Sequence, residues 1–483
     1  MSQNTTQTDV VVIGAGPAGY VCAIRLAQLG KTVTVIDKDN VGGVCLNRGC
    51  IPSKALIYAG TLFEKIGHSA EIGIEVKDAK INLEKMITWK DGVVKKLTDG
   101  VQSLLKANGC ALLNGDAKFL SSTQIEVTSK TDKTIVQFKN AVIATGSRPA
   151  NIPGFEVDHD KILDSTSALD QKKPPKSLLC IGGGYIGLEL GTFYAKIGTK
   201  VTVVEAAPSL LSIVDPDLTK VVEKGLKKRN VAIYTNTKCK SLKKTKEDVD
   251  VTFEENGKTR TETFEKILVT IGRVPNSENL GLDKAGVKLD SKGFILVNEK
   301  RATNISHIFA IGDIAGQPLL AHKGSKEGIV AAEAICGQKT IYDVKAMPAV
   351  IFTDPEVATV GLTEKEAKDK GFAPQVGVFP FAANGRALSV NETDGLVKII
   401  GDQKTGRLLG VHIVGAEASN LISEAALAIE MGAHVEDLAL TVHPHPTLPE
   451  TIMEAAEATL GHAIHIFQPK KVATSSSQKE VRA

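Results

Sequence analysis

The sequence predicts an α/β protein with two Rossmann-like dinucleotide-binding domains and a C-terminal α+β domain. Three observations predict this fold: a repeated strand–turn–helix unit, two closely spaced cysteines after its first copy, and a change of pattern beyond residue 347. The length of 483 residues suits about three domains. With 42% apolar and 23% charged residues, the composition is that of an ordinary globular protein.

The repeat relates residues 11–37 to residues 179–205, where nine of 27 aligned positions are identical. Each copy reads as a β-branched strand, a GxGxxG turn, a helix and a second strand that ends in an acid. The glycines and acids are Gly14, Gly16, Gly19 and Asp37 in the first copy, and Gly182, Gly184, Gly187 and Glu205 in the second. Such glycines admit a pyrophosphate to a helix N-terminus, and the acid binds a ribose. Two such sites indicate two cofactors, a bound flavin and an exchangeable nicotinamide.

Cys45 and Cys50 follow the first repeat in the stretch VGGVCLNRGCIPSK. Five residues of regular helix would separate them by about 140° around the axis, so a bond between them requires an irregular segment. Gly49 supplies that freedom. We interpret the cysteines as a redox pair. Structural thiols or half a zinc site are the alternatives, although no second Cys or His pair accompanies them. Lys54 would lower a thiol pKa or stabilise a reduced flavin, or is simply a solvated helix lysine.

Residues 348–470 mix short strands with amphipathic helices and carry no glycine fingerprint, which predicts a separate domain. Its unusual stretch is TVHPHPTLPE, residues 441–450, in which prolines favour an extended backbone around two histidines. Glu450 could orient one imidazole as a general base. The alternative is a structural histidine.

The stretch GGVCLNRGCIPSKAL resembles the GGTCLN-x-GCIPSKAL of dihydrolipoyl dehydrogenases in the flavin disulfide reductase group, and residues 443–450 resemble that family's HAHPTLSE. The resemblance implies that the first repeat binds FAD and the second binds NAD. It implies that Cys45 exchanges with the substrate and that Cys50 passes electrons to the flavin. It further implies the roles of four residues: Lys54 paired with Glu189 beside the flavin, and His445 as a base oriented by Glu450.

The resemblance also assigns cofactor contacts and domains. For FAD the residues are Gly14, Gly16, Gly19, Asp37, Gly43, Lys54, Gly115, Thr145, Gly146, Asp313 and Ala321. For NAD they are Gly182, Gly184, Gly187, Glu205, Cys239 and Gly272. On sequence grounds alone, Asp313 could equally be a helix N-cap. The expected domains are an FAD domain (1–150), an NAD domain (151–276), a segment completing the FAD domain (277–347), a dimerisation domain (348–470) and a disordered tail (471–483).

The implied activity is oxidation of protein-bound dihydrolipoamide with reduction of NAD, within 2-oxo acid dehydrogenase or glycine cleavage complexes. The expected partners are a second copy of the chain, whose His445 would act on this chain's disulfide, and a lipoyl-bearing acyltransferase or carrier protein. One rival is an NADPH-dependent reductase of another disulfide or a metal ion. Mercuric reductase-like chains carry an extra C-terminal Cys pair, whereas this sequence has no Cys after Cys336. A second rival is a core subunit whose main role is docking, with catalysis incidental.

Composition excludes several other classes. A net charge of +3 and a single Trp argue against nucleic-acid binding. The longest uncharged run near the N-terminus, residues 10–24, is too short to cross a bilayer, and the preceding residues do not resemble a signal peptide. Seven scattered cysteines suit a reducing compartment, so a cytoplasmic location without a structural metal is expected.

Overall fold

The computed structural model describes residues 4–468, so the predicted tail 471–483 lies outside the described residues. The described chain forms two compact units. The first comprises residues up to 212 together with 223–344, and the second comprises residues 213–222 together with those from 345 onward. No helix in residues 4–468 is both long enough and apolar enough to span a bilayer.

The first repeat begins a sheet in the first unit. Its elements are β1 (Asn4–Ile13), α1 (Pro17–Gln28), β2 (Val33–Asp37), α2 (Gly43–Arg48), α3 (Cys50–Gly67), α4 (Leu83–Ala107), β3 (Ala111–Asn114), β4 (Asp116–Ser121), β5 (Gln124–Thr128), β6 (Lys133–Ile143) and β7 (Ser147–Pro149). Strands β3, β2, β1 and β6 are parallel in that order, and β5 and β4 continue the sheet antiparallel. The chain order reverses beside β1, so the first glycine turn leaves the sheet at its topological switch point.

The second repeat forms a separate sheet. The elements are β8 (Ile162–Leu163), α5 (Ser165–Ala168), β9 (Ser177–Ile181), α6 (Tyr185–Lys196), β10 (Lys200–Val204), α7 (Pro216–Lys228), β11 (Ala232–Tyr234), β12 (Thr237–Lys244), β13 (Val249–Glu255), β14 (Lys258–Phe264), β15 (Lys266–Val269) and β16 (Arg273–Pro275). A parallel sheet runs β11-β10-β9-β15-β8, and β12–β14 form an antiparallel sheet. The short strand β16 pairs antiparallel with β7.

The chain then returns to the first sheet. The returning elements are α8 (Leu282–Ala285), β17 (Ile308–Ala310) and α9 (Ala321–Ile335). Strand β17 lies parallel to β6, and α9 packs closely on α1. A Cβ atom at Gly328 would lie 2.7 Å from the carbonyl oxygen of Ala18, so glycine is required for this helix contact.

The second unit is built on an antiparallel sheet. Its elements are β18 (Ala349–Ile351), β19 (Glu356–Gly361), α10 (Glu364–Asp369), β20 (Pro374–Pro380), α11 (Gly385–Ser389), β21 (Leu396–Asp402), β22 (Leu408–Gly415), α12 (Ala418–Met431), α13 (Val435–Leu440) and α14 (Glu450–Leu460). The strand order is β18-β19-β22-β21-β20. Helices α12–α14 pack on the sheet face that carries Val397, Val411 and Ile413.

Residues 213–222, which the sequence places within the expected NAD domain (151–276), cluster with the second unit in the structure. The reason is a buried ion pair, because Lys398 Nζ on β21 lies 2.9 Å from the carboxylate of Asp215 and neither side chain is more than 4% exposed. A lysine buried in this way requires its carboxylate partner, so the segment is held against β21.

Candidate active site

The first and third glycines of each turn are required by the packing of the protein itself. A Cβ atom at Gly19 would lie 1.9 Å from the carbonyl oxygen of Gly14, and one at Gly187 would lie 2.6 Å from that of Gly182. Gly14 and Gly182 also have φ values of +102° and +107°, a region that favours glycine. These four glycines therefore shape the turns independently of any ligand.

The middle glycines have no such packing reason. The nearest atom to a Cβ at Gly16 would be the Cα of Gly43, 3.8 Å away, and a Cβ at Gly184 would meet nothing within 4 Å. Each glycine is the N-cap of the helix that follows, α1 or α6, where unpaired N–H groups and the positive end of the dipole favour an anion. The space left by the missing side chains fits the pyrophosphate of a dinucleotide in both repeats.

The two acids hold their turns in the same way. Asp37 Oδ2 accepts a hydrogen bond from the N–H of Ala15 at 2.6 Å, and Glu205 Oε2 accepts one from the N–H of Gly183 at 2.6 Å. The second oxygen of each acid accepts from the residue two positions further along, at 2.9 Å and 2.7 Å. Burial raises the pKa of Asp37, against the lowering effect of these bonds. The carboxylates thus stand at the edge of the open pyrophosphate space, where a ribose hydroxyl would meet them.

Two further predicted glycines lie in open positions. Gly146 and Gly272 have φ values of +69° and +125°, and a Cβ at either would meet nothing within 4 Å. They follow β6 and β15, whose ends adjoin the two turns. Thr145 connects the residues that follow β6 to those that follow β16, because its Oγ1 donates a hydrogen bond to the carbonyl oxygen of Asn276 at 2.9 Å.

The remaining predicted cofactor residues are held by packing. Gly43 approaches the first turn, since its Cβ would lie 2.6 Å from the Cα of Gly16, whereas a Cβ at Gly115 would meet the carbonyl oxygen of Thr128 at 2.7 Å. Ala321 is the first residue of α9. Cys239 packs against the apolar core of the second repeat, and burial raises its pKa to about 12. Its role toward NAD stays a prediction.

Asp313 lies in a short 3-10 helix, Gly312–Ala315, and is not its N-cap. Its carboxylate accepts a hydrogen bond from Ser147 Oγ at 2.5 Å, and Ser147 Oγ accepts one from Arg273 Nε at 2.7 Å. This chain of contacts joins the residue expected to meet FAD to the strand that follows Gly272. Neither Ser147 nor Arg273 was singled out from the sequence, where they are 126 residues apart.

A buried charge cluster on α9 supports the Asp313 turn. Glu327 is fully buried, and its Oε2 accepts from the N–H of Gly312 at 2.7 Å. Its Oε1 lies 3.0 Å from Arg301 Nη1 and 3.2 Å from Lys323 Nζ, while Lys323 also donates to the carbonyl oxygen of Gly312 at 3.2 Å. The peptide groups on both sides of Gly312 are therefore fixed, which holds Asp313 in a defined position.

The structure brings the two cysteines together. Cys45 lies in α2 and Cys50 begins α3, and the chain turns between the helices at Gly49. A Cβ at Gly49 would lie 2.8 Å from the carbonyl oxygen of Val44, so glycine is needed for this turn. The side chains of Cys45 and Cys50 are hydrogen-bonded to each other, so the two cysteines of the expected pair are neighbours in the fold. Their role as a redox disulfide stays a prediction.

The two thiols differ in acidity. The hydrogen bond from Cys45 and the charge of Lys54 lower the pKa of Cys50 to about 7, against the opposing effects of burial and of Glu189. Donating that bond, together with burial, raises the pKa of Cys45. Lys54 is not a solvated lysine, since its Nζ lies 2.8 Å from Glu189 Oε2 on α6. Of the two thiols, Cys50 is therefore the one that ionises more readily.

In the second unit, the proline-rich stretch presents His445 to solvent. Its side chain is 77% exposed, and Nδ1 lies 2.9 Å from Glu450 Oε1. Burial raises the pKa of Glu450, but the bonds from the N–H of Thr447 and from His445 outweigh it, so the net shift is downward. An ionised Glu450 accepts a hydrogen bond from Nδ1–H, and among residues 4–468 none hydrogen-bonds to Nε2. The imidazole can therefore accept a proton at Nε2.

Comparison with known proteins defines the class of this protein. Residues 8–328 match the family described as pyridine nucleotide-disulphide oxidoreductase, and residues 347–456 match the dimerisation domain of that family. The chain belongs to the pyridine nucleotide-disulphide oxidoreductase family. This finding confirms the predicted fold class and the predicted cofactors, FAD and NAD, and the dimerisation domain supports a homodimer.

Individual relatives narrow the class. The chain is 50% identical over 461 residues to the dihydrolipoyl dehydrogenase of Geobacillus stearothermophilus, covering 95% of this chain and 98% of that protein. It is 48% identical over 463 residues to that of Bacillus subtilis, covering 96% and 98%. Among solved structures, LpdA from Mycobacterium tuberculosis is similar with a TM-score of 0.87 and 29% identity, over 93% of this chain and 99% of that one. These similarities confirm the resemblance stated from the sequence.

Proposed function

We propose that this protein oxidises dihydrolipoyl groups to lipoyl disulfides and transfers the electrons to NAD, as a dihydrolipoyl dehydrogenase. The observation that carries the proposal is the thiol pair, in which the pKa of Cys50 is lowered to about 7 while Cys45 stays protonated. An enzyme that exchanges with a dithiol needs one cysteine as the exchanging sulfur and another as a stable leaving thiolate.

The exchange is balanced in atoms and electrons. In the oxidised enzyme Cys45 and Cys50 share a disulfide. One dihydrolipoyl thiol loses its proton to His445 and attacks Sγ of Cys45, forming a mixed disulfide while Cys50 leaves as a thiolate. The second dihydrolipoyl thiol then attacks the lipoyl sulfur of that bond, and Cys45 leaves and takes the second proton. The substrate loses two electrons and two protons. The enzyme gains a Cys45 thiol, a Cys50 thiolate and a protonated His445.

The charges around the pair suit this end state. Lys54, paired with Glu189, stabilises the Cys50 thiolate, and Glu450 stabilises a protonated His445 by accepting from Nδ1. When bound, FAD supplies a two-electron carrier between this thiolate and NAD. The turn at Gly14–Gly19, the Asp313 turn and Lys54 would hold FAD, and the second turn with Glu205 would hold NAD.

We also propose the cellular setting that the sequence implies. His445 would be contributed by one protomer of a homodimer to the cysteine pair of the other, because its side chain is 77% exposed and it lies in the part of the chain that matches a dimerisation domain. The reducing substrate would be a lipoyl group on an acyltransferase or a glycine-cleavage carrier in the cytoplasm. A free, exposed imidazole suits a mobile, protein-bound substrate.

The direct test is a steady-state assay of the purified holoenzyme. We expect rapid reduction of NAD by dihydrolipoamide, with little reduction of Cu²⁺ or of glutathione disulfide by NADPH. The rival class of NADPH-dependent reductases gains support from the opposite pattern. Retention of a lipoyl-bearing acyltransferase on the immobilised holoenzyme, with a lipoyl-free acyltransferase as control, tests the proposed partner.

A further inference from the structure

The Asp313 turn, residues 312–315, is held at both of its ends by one buried side chain of α9. Lys323 Nζ donates a hydrogen bond to the carbonyl oxygen of Gly312 at 3.2 Å and another to that of Gly316 at 2.8 Å. The Lys323 side chain is only 4% exposed. A buried ammonium needs such acceptors, because burial removes the water that would otherwise accept its hydrogen bonds. Movement of either carbonyl group away from Nζ would therefore leave the ammonium partly unsatisfied.

Glu327, one turn further along α9, completes this support. Its side chain is fully buried, and its Oε2 accepts a hydrogen bond from the N–H of Gly312 at 2.7 Å. Its Oε1 lies 3.0 Å from Arg301 Nη1 and 3.2 Å from Lys323 Nζ. The ring of Tyr342 covers the guanidinium of Arg301, whose carbon lies 4.7 Å from the ring centroid. A carboxylate accepts at both oxygens, whereas a glutamine amide accepts at only one, so the carboxylate is needed to bind the peptide N–H and both cations.

The same turn lies against the start of α1. A Cβ atom at Gly312 would lie 3.0 Å from the Cβ of Ala18, and one at Gly324 of α9 would lie 3.0 Å from the same atom. Ala18 is the second residue of α1, whose N-cap is Gly16. The Asp313 turn, α9 and the beginning of α1 therefore meet through close contacts between small residues. These contacts fix the turn relative to the helix N-terminus that faces the open pyrophosphate space of the first repeat.

We propose that Glu327 and Lys323 are positioning residues for FAD: by binding the backbone of the Asp313 turn, they hold the Asp313 carboxylate where it meets the bound cofactor. This inference rests on the proposed function in one respect, because it takes Asp313 as a residue that contacts FAD. Neither Glu327 nor Lys323 has to contact FAD, since both act on the peptide groups of the turn. Loss of either side chain should therefore weaken the retention of FAD in a chain that still folds.

The test measures the release of FAD from the purified holoenzyme at a fixed, sub-denaturing concentration of guanidinium. Released FAD is measured by its absorbance in the filtrate of a protein-retaining membrane, and far-UV circular dichroism checks that the fold persists. In Glu327→Gln and in Lys323→Met we expect release to be about tenfold faster than in the wild type, the effect of losing one hydrogen bond that involves a charged group. Lys323→Met keeps the contact between Glu327 and Arg301, so it decides the question where Glu327→Gln does not fold.

A matched control is Glu333→Gln on the same helix. Glu333 Oε1 lies 2.7 Å from Arg25 Nη2 on α1, so this variant also removes an ion pair of α9 but leaves the contacts of Glu327 and Lys323 to the turn in place. Its release of FAD should match that of the wild type within about twofold. Equal acceleration in Glu333→Gln overturns the inference, and so does wild-type release in Lys323→Met or in a folded Glu327→Gln variant.

A double-variant cycle separates positioning from a general loosening of the fold. Asp313→Asn alone should accelerate the release of FAD, and Lys323→Met should add about twofold or less to that variant, because the residue acts through Asp313. A double variant in which the two accelerations multiply overturns the inference, and so does wild-type release in Asp313→Asn. Failure of the proposed function would appear separately, as a wild-type holoenzyme with full flavin content that does not reduce NAD with dihydrolipoamide.

Discussion

The thiol pair of the first unit and the imidazole pair of the second unit follow the same logic with different chemistry. In each, two like residues close in sequence have different neighbours in the fold. The pKa of Cys50 is lowered to about 7 by the bond from Cys45 and the charge of Lys54, while that of Cys45 is raised. The pKa of His443 is raised by its bond to Glu424, while the side chain of His445 is exposed. Residue type supplies the reactive group, and the charged neighbour decides its role.

The two nucleotide turns provide the contrast. Asp37 and Glu205 are also like residues, but both make the same bonds to their turns at 2.6 Å. The two turns differ in the space around the middle glycine. Gly43 lies close to Gly16 in the first turn, whereas a Cβ atom at Gly184 in the second would meet nothing within 4 Å. Asp37 and Glu205 therefore have the same structural role, because each accepts a hydrogen bond from a backbone N–H of its own turn.

The largest effect should come from breaking the thiol pair. Cys45→Ser cannot form the disulfide, so we expect no measurable oxidation of dihydrolipoamide. The Cys50 thiolate should remain and give the oxidised holoenzyme a long-wavelength thiolate-to-flavin absorbance without reductant. That absorbance should be present at high pH and be lost as the pH falls through about 7, following the pKa of Cys50. Recording spectra between pH 5 and 9 tests this prediction. An unperturbed flavin spectrum at pH 8 would reverse the roles of the two cysteines.

Breaking the imidazole pair should have the next largest effect. His445→Gln should lower the rate of dihydrolipoamide oxidation by about 10²–10⁴-fold, the usual contribution of a positioned base. Flavin content should stay normal, since the residue lies in the unit without glycine turns. His443→Gln should retain most turnover. Stopped-flow reduction by dihydrolipoamide measures both variants, and equal losses would mean that the loop has no division of roles.

The acid of the second turn should set nucleotide choice. A 2′-phosphate would face the carboxylate of Glu205, and no Arg or Lys follows until Lys220. Losing a charged hydrogen bond costs about 1.5–3 kcal/mol. NAD should therefore exceed NADP by at least roughly 100-fold in kcat/KM. Glu205→Ala should narrow the gap mainly by weakening NAD. Initial rates with both nucleotides are decisive, and a wild-type preference below tenfold contradicts a ribose contact.

The smallest effect should come from removing the cation of the thiol pair. Lys54→Met in the Cys45→Ser background leaves Cys50 without its positive neighbour. The pH midpoint of the thiolate absorbance should rise by about one unit toward the ordinary value for cysteine. Lys65→Met on the same helix is the control and should leave the midpoint in place. If both lysines shift it equally, general charge rather than the Lys54 contact sets the acidity of Cys50.

Local patterns in the sequence predicted what depends on neighbours in the chain. β-Branching located the repeat strands, and α14 (Glu450–Leu460) is one of the amphipathic helices expected in residues 348–470. Glycine spacing gave both turns, because strand, turn and helix are contiguous there. The fold class follows from these local units.

Contacts between distant residues could not be predicted in the same way. The pairing of Lys398 with Asp215 spans 183 residues, and that of Arg273 with Ser147 spans 126. Glu424 is an unremarkable helix glutamate until folding places it on His443. Each partner is an ordinary polar or charged residue in the sequence, and only its neighbour in the fold gives it a role.

The Lys398–Asp215 pair has a consequence for the way this chain can be divided. A fragment starting at residue 345 would contain the whole antiparallel sheet but not Asp215, and would bury the ammonium of Lys398 without that carboxylate. Removing one partner of a buried pair costs about 3–5 kcal/mol, a large share of the stability of a domain. During synthesis, the strand that completes this pair is made long after Asp215. The second unit can therefore reach its final form only after β21 has been made, although its segment 213–222 is made much earlier.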